Sequence, residues 1–389
     1  MSLFGRKARA ASITSAQDLI GDRGGKRSGV VVTNETALRH SAVWACLTLR
    51  ADLVSSMPVD VFRRVAGVQV EVPKPPVLVT PGGDQVGIQE WLWSSQFDLD
   101  RAGNVFGLIT DRNGLGLPAR IELVALSDVV VRAKGSQITE IRVGGTSYTG
   151  ERLKDVWHEK QYPMAGLPLG LSPVAYAAWN IQESLSAQQF ALDWFGGSAI
   201  PMAELKNTAK KINRAEAQVA KDAYRAAVTN GDLFVHGQDW EYKPIQTVAA
   251  SSEFLRTREF GLTDISRFFG APADLIDAAV STGSITYASM TQRNLQFLIM
   301  KLGPAVSRRE WALSRLTSQP RFVKLNRNAL LAMDPETRAR TIKIELDSRT
   351  LTPTEARGLS DRPPLTDADL AEFAAVYGAP RTQPTEAKA

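Results

Sequence analysis

Apolar positions follow two periods along this chain, and the switches between them divide it into elements. Leu38, Ala42, Ala45, Leu49 and Leu53 recur every three or four residues, which predicts a helix over 35–57 with one packed face. Thr33 or Asn34 suits its cap, and Met57-Pro58 ends it. Val59 to Arg64 then alternates with the two-residue period of a strand. Lys74-Pro75-Pro76 and Pro81-Gly82-Gly83 mark a loop. A second helix is predicted over 89–101. A hairpin follows, with strands at 105–110 and 119–124 and a turn through Asp111-Arg112-Asn113-Gly114. Further short strands are predicted at 128–132, 138–143 and 155–159, so residues 103–160 are mainly β.

The most regular helix opens at Gly170-Leu171-Ser172-Pro173, where Ser172 suits the N-cap and Pro173 the first helical position. Val174, Ala178, Ile181, Leu185, Gln188, Leu192 and Phe195 form a heptad stripe with one polar interruption. A helix so narrow-faced is expected to pack side by side with others, until Gly196-Gly197 stops it. A small module follows, with strands near 200–205, 233–236 and 240–243 and a helix over 214–229. The next helix, 252–269, runs into Ser266-Arg267-Phe268-Phe269-Gly270-Ala271-Pro272. Another long helix spans 290–316. Its interior Gly303-Pro304 removes a backbone hydrogen bond, so a bend is expected near Met300. A strand at 322–325 and short helices over 335–348 and 353–377 complete an α+β fold.

Between the last two long helices lies the insert Ser281-Thr282-Gly283-Ser284-Ile285-Thr286-Tyr287-Ala288-Ser289. Every residue from Ala278 to Gln292 is uncharged. The insert is longer than the few residues that usually join neighbouring helices. On pattern alone, a loose helical connection and a loop exposed for a purpose both fit.

Charge changes the picture only once it is located. The net +5 is concentrated at the start: residues 1–27 hold six cations against Asp18 and Asp22, which leaves the remaining body close to neutral. A duplex-binding surface normally shows a basic face, and the body has no such excess in its sum. Residues 1–29 read as a disordered basic arm, and the Pro/Thr-rich residues 378–389 as a mobile tail. The 389 residues suffice for two or three domains. Cys46 is the single cysteine, so no internal disulfide forms, and its apolar surroundings Val43-Trp44-Ala45-Cys46-Leu47 predict a buried thiol. No run reaches the roughly 18 apolar residues of a membrane span, and the basic N-terminus lacks a signal-peptide core.

Catalytic patterns are missing. There is no Walker A lysine loop and no GxSxG elbow. His40, His158 and His236 lie far apart, and none sits in a metal-ligand pair. Gly114-Leu115-Gly116 precedes a strand, whereas a phosphate loop must open a helix. Asp98 and Asp100 read as solvated carboxylates at a helix end rather than paired acids, and His158 as a strand residue rather than a base. No catalytic, cofactor-binding or metal-binding set assembles. Two readings stay open beside a structural one: a hydrolase or transferase with an unfamiliar site around His158 or His236, and a general nucleic-acid-binding protein using the basic arm.

In order, the landmarks resemble the HK97-type phage portal protein family from about Ala37 to Pro364. They are Ala37 to Cys46 with Ser55-Ser56-Met57-Pro58-Val59, then Gly103-Asn104-Val105-Phe106, then Asp155-Val156-Trp157-His158. Gly170-Leu171-Ser172-Pro173 and Phe268-Phe269-Gly270-Ala271-Pro272 follow. Thr286-Tyr287-Ala288-Ser289, Leu302-Gly303-Pro304 and Leu351-Thr352-Pro353-Thr354-Glu355-Ala356-Arg357 complete the set. Gly196-Gly197 stands where the family commonly has asparagine-glycine, and Asp277 where glycine is common.

The resemblance implies a ring, twelve-fold in virions, at one capsid vertex, assembled in the host cytoplasm. Double-stranded DNA would pass non-specifically through its channel. The large terminase subunit, the major capsid protein and head-completion or adaptor proteins would be its partners, with no membrane and no cofactor. By the same analogy residues 30–165 and 290–330 form a wing, with a kinked helix at Gly303 and Pro304. Residues 166–197 and 251–270 form stem helices, the first packing through Val174, Ala178, Ile181, Leu185, Leu192 and Phe195. Residues 198–250 form a clip and 331–377 a crown. Residues 271–289 form a tunnel loop that turns Ser281, Thr282, Gly283, Ser284, Thr286 and Tyr287 toward DNA.

Overall fold

The computed structural model describes residues 12–13, 31–195, 203–208, 211–230, 239–244, 252–276, 287–327, 335–360 and 362–377. The chain divides into two compact units, residues 1–325 and 326–389.

In the first unit, Thr33 Oγ1 accepts from the Thr36 backbone N–H at 3.1 Å in the turn that leads into a 3-10 helix, Ala37–Arg39, whose own N-cap, Thr36, makes no side-chain cap bond. Helix α1, Ser41–Ser55, then starts at His40 without a side-chain cap. The expected single helix over 35–57 is thus a turn followed by a helix. Its buried face also differs from the expected stripe: Ala42, Val43, Cys46, Leu47, Arg50, Ala51 and Val54 point inward. A purely apolar template misplaces this face because Arg50 belongs to it. Cys46 is buried as expected, and burial pushes its thiol up to about 12, with nearby Arg50 opposing.

Strand β1 is Ser12–Ile13 and β2 is Val59–Val65, which pairs with β3, Val68–Glu71. Helix α2, Ile88–Ala102, ends at Gly103 in the left-handed conformation. The predicted hairpin forms as β4, Asn104–Arg112, and β5, Pro118–Leu123. Strands β6, Val129–Lys134, β7, Gln137–Val143, and β8, Thr146–Thr149, form a meander. Strand β9, Val156–Lys160, returns antiparallel to β4. Two small sheets result, β5-β4-β9 and β1-β6-β7-β8. Phe106, Val129, Val131, Ile141, Val143, Val156 and Leu169 form one buried cluster between their elements. The pairing of Ser12 with Arg132 places two residues of the expected basic arm in a sheet.

The helix expected over 173–195 appears as α3, Pro173–Tyr176, and α4, Ala178–Phe195, which meet at Ala177. Ser172 caps it by accepting from the Ala175 N–H at 3.3 Å. Strand β10, Ala203–Asn207, and helix α5, Arg214–Asn230, follow. Strand β11, Trp240–Pro244, pairs with β10. The strand expected over 233–236 lies outside the described residues. Helix α6, Ser252–Phe269, is followed beyond the insert by α7, Tyr287–Gln296, a π-turn over Phe297–Leu302, and α8, Gly303–Ser314. Strand β12, Arg321–Leu325, crosses back to β2, giving a third sheet, β12-β2-β3.

Helices α1, α3, α4 and α6 share a core with Phe97 of α2. At the edge of the third sheet, α8 covers β12. The Val323 N–H donates to Ser314 Oγ at 2.9 Å and the Leu325 N–H to Glu310 Oε1 at 3.1 Å, so outward donors of an edge strand are satisfied.

The second unit holds α9, Pro335–Asp347, α10, Pro353–Gly358, and α11, Asp367–Tyr377. The helix expected over 353–377 is therefore two, separated by the helix-incompatible Pro363-Pro364. Thr352 and Glu355 form a capping box at the start of α10.

Candidate functional site

Two regions gather the landmark residues. One is the base of the neutral insert. Helix α6 ends in a Schellman motif: Gly270, at φ +65°, donates to Arg267 O at 3.2 Å, and Ala271 donates to Ser266 O at 3.1 Å. Phe269 and Ala271 are anchored in the core on either side of that glycine. The chain thus leaves the helix along a fixed path into the 3-10 turn Ala273–Ile276. Across the insert, Arg293 of α7 pairs with Asp274 at 3.4 Å, which ties the two ends together. Ser281, Thr282, Gly283, Ser284 and Thr286 lie outside the described residues, and Tyr287 opens α7.

Gly303 and Pro304 stand where the π-turn meets α8. Proline supplies no N–H, so the carbonyl ladder must re-register. The Gly303 N–H bonds Leu298 O, five residues back, which is the π pattern. Where a bend was expected near Met300, the backbone forms a π-turn over Phe297–Leu302.

The heptad stripe splits its roles. Val174 and Ile181 are buried against α1 and α6, and Leu185 packs on that core. Ala178 is half-buried, while Leu192 is 68% exposed. The side chain of Phe195 lies outside the described set. Gly261 of α6 brings the helices close, since a Cβ there would stand 2.8 Å from Ser184 Oγ of α4.

The second region is a junction where three landmarks meet. Asn104 uses its whole amide. Its Nδ2 donates to Ala102 O at 3.1 Å and Gly170 O at 2.9 Å, and its Oδ1 accepts from Gly170 N at 2.8 Å. Because Oδ1 accepts, the proton of His158 sits on Nε2, which reaches it at 3.1 Å. The imidazole also stacks on Phe106, ring centres 4.4 Å apart. Burial, then the charges of Lys160 and Arg315, push it down to about 3. His158 is thus a half-buried strand residue, as its pattern predicted, and the structure adds its bond to the Asn104 amide. His236 lies outside the described residues. Gly103 and Gly170 allow this close approach: a Cβ on Gly103 would fall 2.0 Å from Leu171 O, and one on Gly170 2.1 Å from Gln161 O.

Buried charges brace the junction. Asp100 is 1% exposed, which overturns its reading as a solvated carboxylate. Arg50 reaches it at 3.0 Å, and the side-chain amides of Gln96 and Gln161 also donate to it. Asp98 pairs instead with Arg101 at 2.8 Å, while burial holds its carboxyl above the usual range. On the other side of α2, Arg309 reaches Glu159 and Ser95 Oγ, both at 2.6 Å, and lies over the Trp91 ring. Burial raises the Glu159 carboxyl despite that partner. Breaking either pair would leave a buried charge, at a cost of about 3–5 kcal/mol. Sequence reasoning missed both pairs. The available signal was an arginine inside an otherwise apolar helical face, as at Arg50.

Among the described residues no group of three or more His, Cys, Asp or Glu could hold a metal ion. No described helix is long and apolar enough to cross a membrane.

Known proteins resemble this chain, some in sequence and some in fold. The probable portal protein of Streptomyces phage phiC31 is 27% identical over 364 residues, covering 87% of this chain and 78% of that protein. The portal protein of Enterobacteria phage HK97 is 24% identical over 363 residues, covering 89% and 84%. An HK97-family phage portal protein from Corynebacterium diphtheriae superposes with a TM-score of 0.59 at 19% identity, over 79% of this chain and all of that one. A chain from the neck of a native gene transfer agent particle, computed with C12 symmetry, superposes at 0.57 and 16% identity, covering 85% and 94%. The family described as phage portal protein matches residues 41–361, from the first residue of α1 to just past α10. The chain belongs to that family.

Proposed function

We propose that this protein is the subunit of a ring at one capsid vertex, the channel through which double-stranded DNA is packaged and ejected. The observation that carries the reading is the family match across residues 41–361. In this reading the large terminase subunit docks during packaging and head-completion proteins dock later, so the motor's nucleotide-binding loop belongs to another chain. The work assigned to this chain is structural. Residues 30–165 and 290–330 act as wing, 166–197 and 251–270 as stem, 198–250 as clip and 331–377 as crown. The insert 271–289 faces the DNA.

Its chemistry suits that place. A conduit must centre DNA without gripping it, and each Lys or Arg on a phosphate adds salt-dependent affinity that would slow sliding. The fifteen residues from Ala278 to Gln292 carry no charge. Their polar groups supply contact without that drag, and the Asp274–Arg293 pair closes the loop at its base.

Negative-stain electron microscopy tests the reading. The expected outcome is ring-shaped particles with a central opening, formed alone or with capsid protein. A chain that stays monomeric under every assembly condition would overturn it.

A further inference from the structure

Helix α8 buries one side and leaves another bare. Met300 of the π-turn and Pro304, Ser307, Trp311 and Arg315 are all exposed, and they recur every three or four residues, which puts them on one face. Trp311 is 67% exposed and Met300 66%. Tyr162 lies beside them, against Arg308. The guanidinium carbon of Arg315 lies 5.2 Å from the Trp157 ring centre and 5.3 Å from that of Trp311. Two turns earlier, Arg308 lies 5.7 Å from the Tyr162 ring centre.

Neither Arg308 nor Arg315 makes an ion pair or side-chain hydrogen bond among the described residues. The nearby buried carboxylate of Glu159 is taken by Arg309. Arg308 Nε and the indole Nε1 of Trp157 are buried without an acceptor. The patch therefore has cations and donors in surplus and apolar surface between them.

A guanidinium held against aromatic faces keeps its N–H edge for a planar two-oxygen acceptor, a carboxylate or a phosphate. The surroundings choose between these. A DNA backbone would cover Trp311 and Met300 with phosphate and water, and phosphate contacts need no such apolar frame. Exposed Trp, Met and Arg together are the composition of protein–protein anchors. We propose that this face of α8 docks an acidic segment of a partner protein, which places a carboxylate on Arg315 and an apolar side chain on Trp311.

Fluorescence anisotropy tests this with the full chain and three labelled probes. They are a glutamate-rich peptide that also carries leucine and phenylalanine, its glutamine counterpart, and a short DNA duplex. The glutamate peptide should bind about ten-fold or more tighter than the glutamine one. Arg315→Gln and Trp311→Ala should each weaken it by about ten-fold, with thermal midpoints lowered by no more than a few degrees, since each loses only an exposed ring contact. Arg315→Lys should weaken it too, since lysine keeps the charge and loses the stacked plane. Failure of the glutamate peptide to bind, or equal binding by the variants, would overturn the proposal. So would a matching loss of DNA binding, which would make the site a phosphate reader. Lost self-association with peptide binding intact would also overturn it, by assigning the face to a second copy.

Discussion

His158 shows how one residue's surroundings become a property of the protein. Its imidazole is held near 3, while an unfolded chain takes up a proton near the ordinary 6.5. A depressed value means that stability is fully present above 6.5 and is lost as pH falls below it, by at most about 1.4 kcal/mol per pH unit. Glu159 acts with the opposite sign: burial raises its carboxyl, so its contribution is lost as pH rises from the ordinary 4.5. That contribution is common to the wild type and a His158→Gln variant and cancels between them. The variant keeps a side-chain N–H toward Asn104 and cannot titrate. The urea midpoint of the wild type should therefore fall more steeply than that of the variant from about pH 7 to about pH 5. Parallel slopes would remove His158 from the account. The strand position of this histidine was legible, since it sits in the pattern Val156-Trp157-His158-Glu159-Lys160. The fate of Asp100 was not, because its partners Arg50 and Gln161 are distant in sequence.

At the scale of elements, helix existence was legible and helix faces less so. Helix α6 spans the predicted 252–269, because its amphipathic run and the Phe-Gly-x-Pro stop are both local. The face of α1 was shifted by Arg50, whose burial depends on a carboxylate in α2. The split into α10 and α11 was announced by Pro363-Pro364 and overlooked. The packing of α4 on α6 turns on Gly261, whose added Cβ would meet the oxygen of Ser184, a side-chain end that can rotate. Gly261→Ala should therefore stay within about 1 kcal/mol of wild type, helped by alanine's better helix propensity. Gly261→Leu must part the helices and should cost about 1–3 kcal/mol. Chemical denaturation separates the two, and equal losses would show that close approach is not what the glycine provides.

For the whole molecule, the reach of the chain matters most. Strand β12 pairs with β2 across the entire first unit, so the last part of that unit completes the sheet begun near its start. The same path leads from α8 through Arg309 to Glu159 and so to the junction at Gly170, where α3 begins. If the neutral insert faces DNA, replacing Ser281, Thr282, Gly283 and Ser284 with lysine should slow or stall packaging while rings still form. An in vitro packaging assay with rings checked by microscopy measures this, and a normal rate would end the role given to neutrality.

Element types, the order of landmarks and the family they belong to were decided by the sequence itself. Periodicity, caps and turn residues act over a few positions, and the landmarks keep their order whatever they contact. Only the tertiary structure decided which charges are buried. It also decided that Gly103, Asn104, His158 and Gly170 form one junction, and that Arg309 takes the Glu159 carboxylate, so that Arg308 and Arg315 make no direct ion pair among the described residues. Those outcomes depend on which distant groups meet, and a charge is stable in the interior only where its partner arrives.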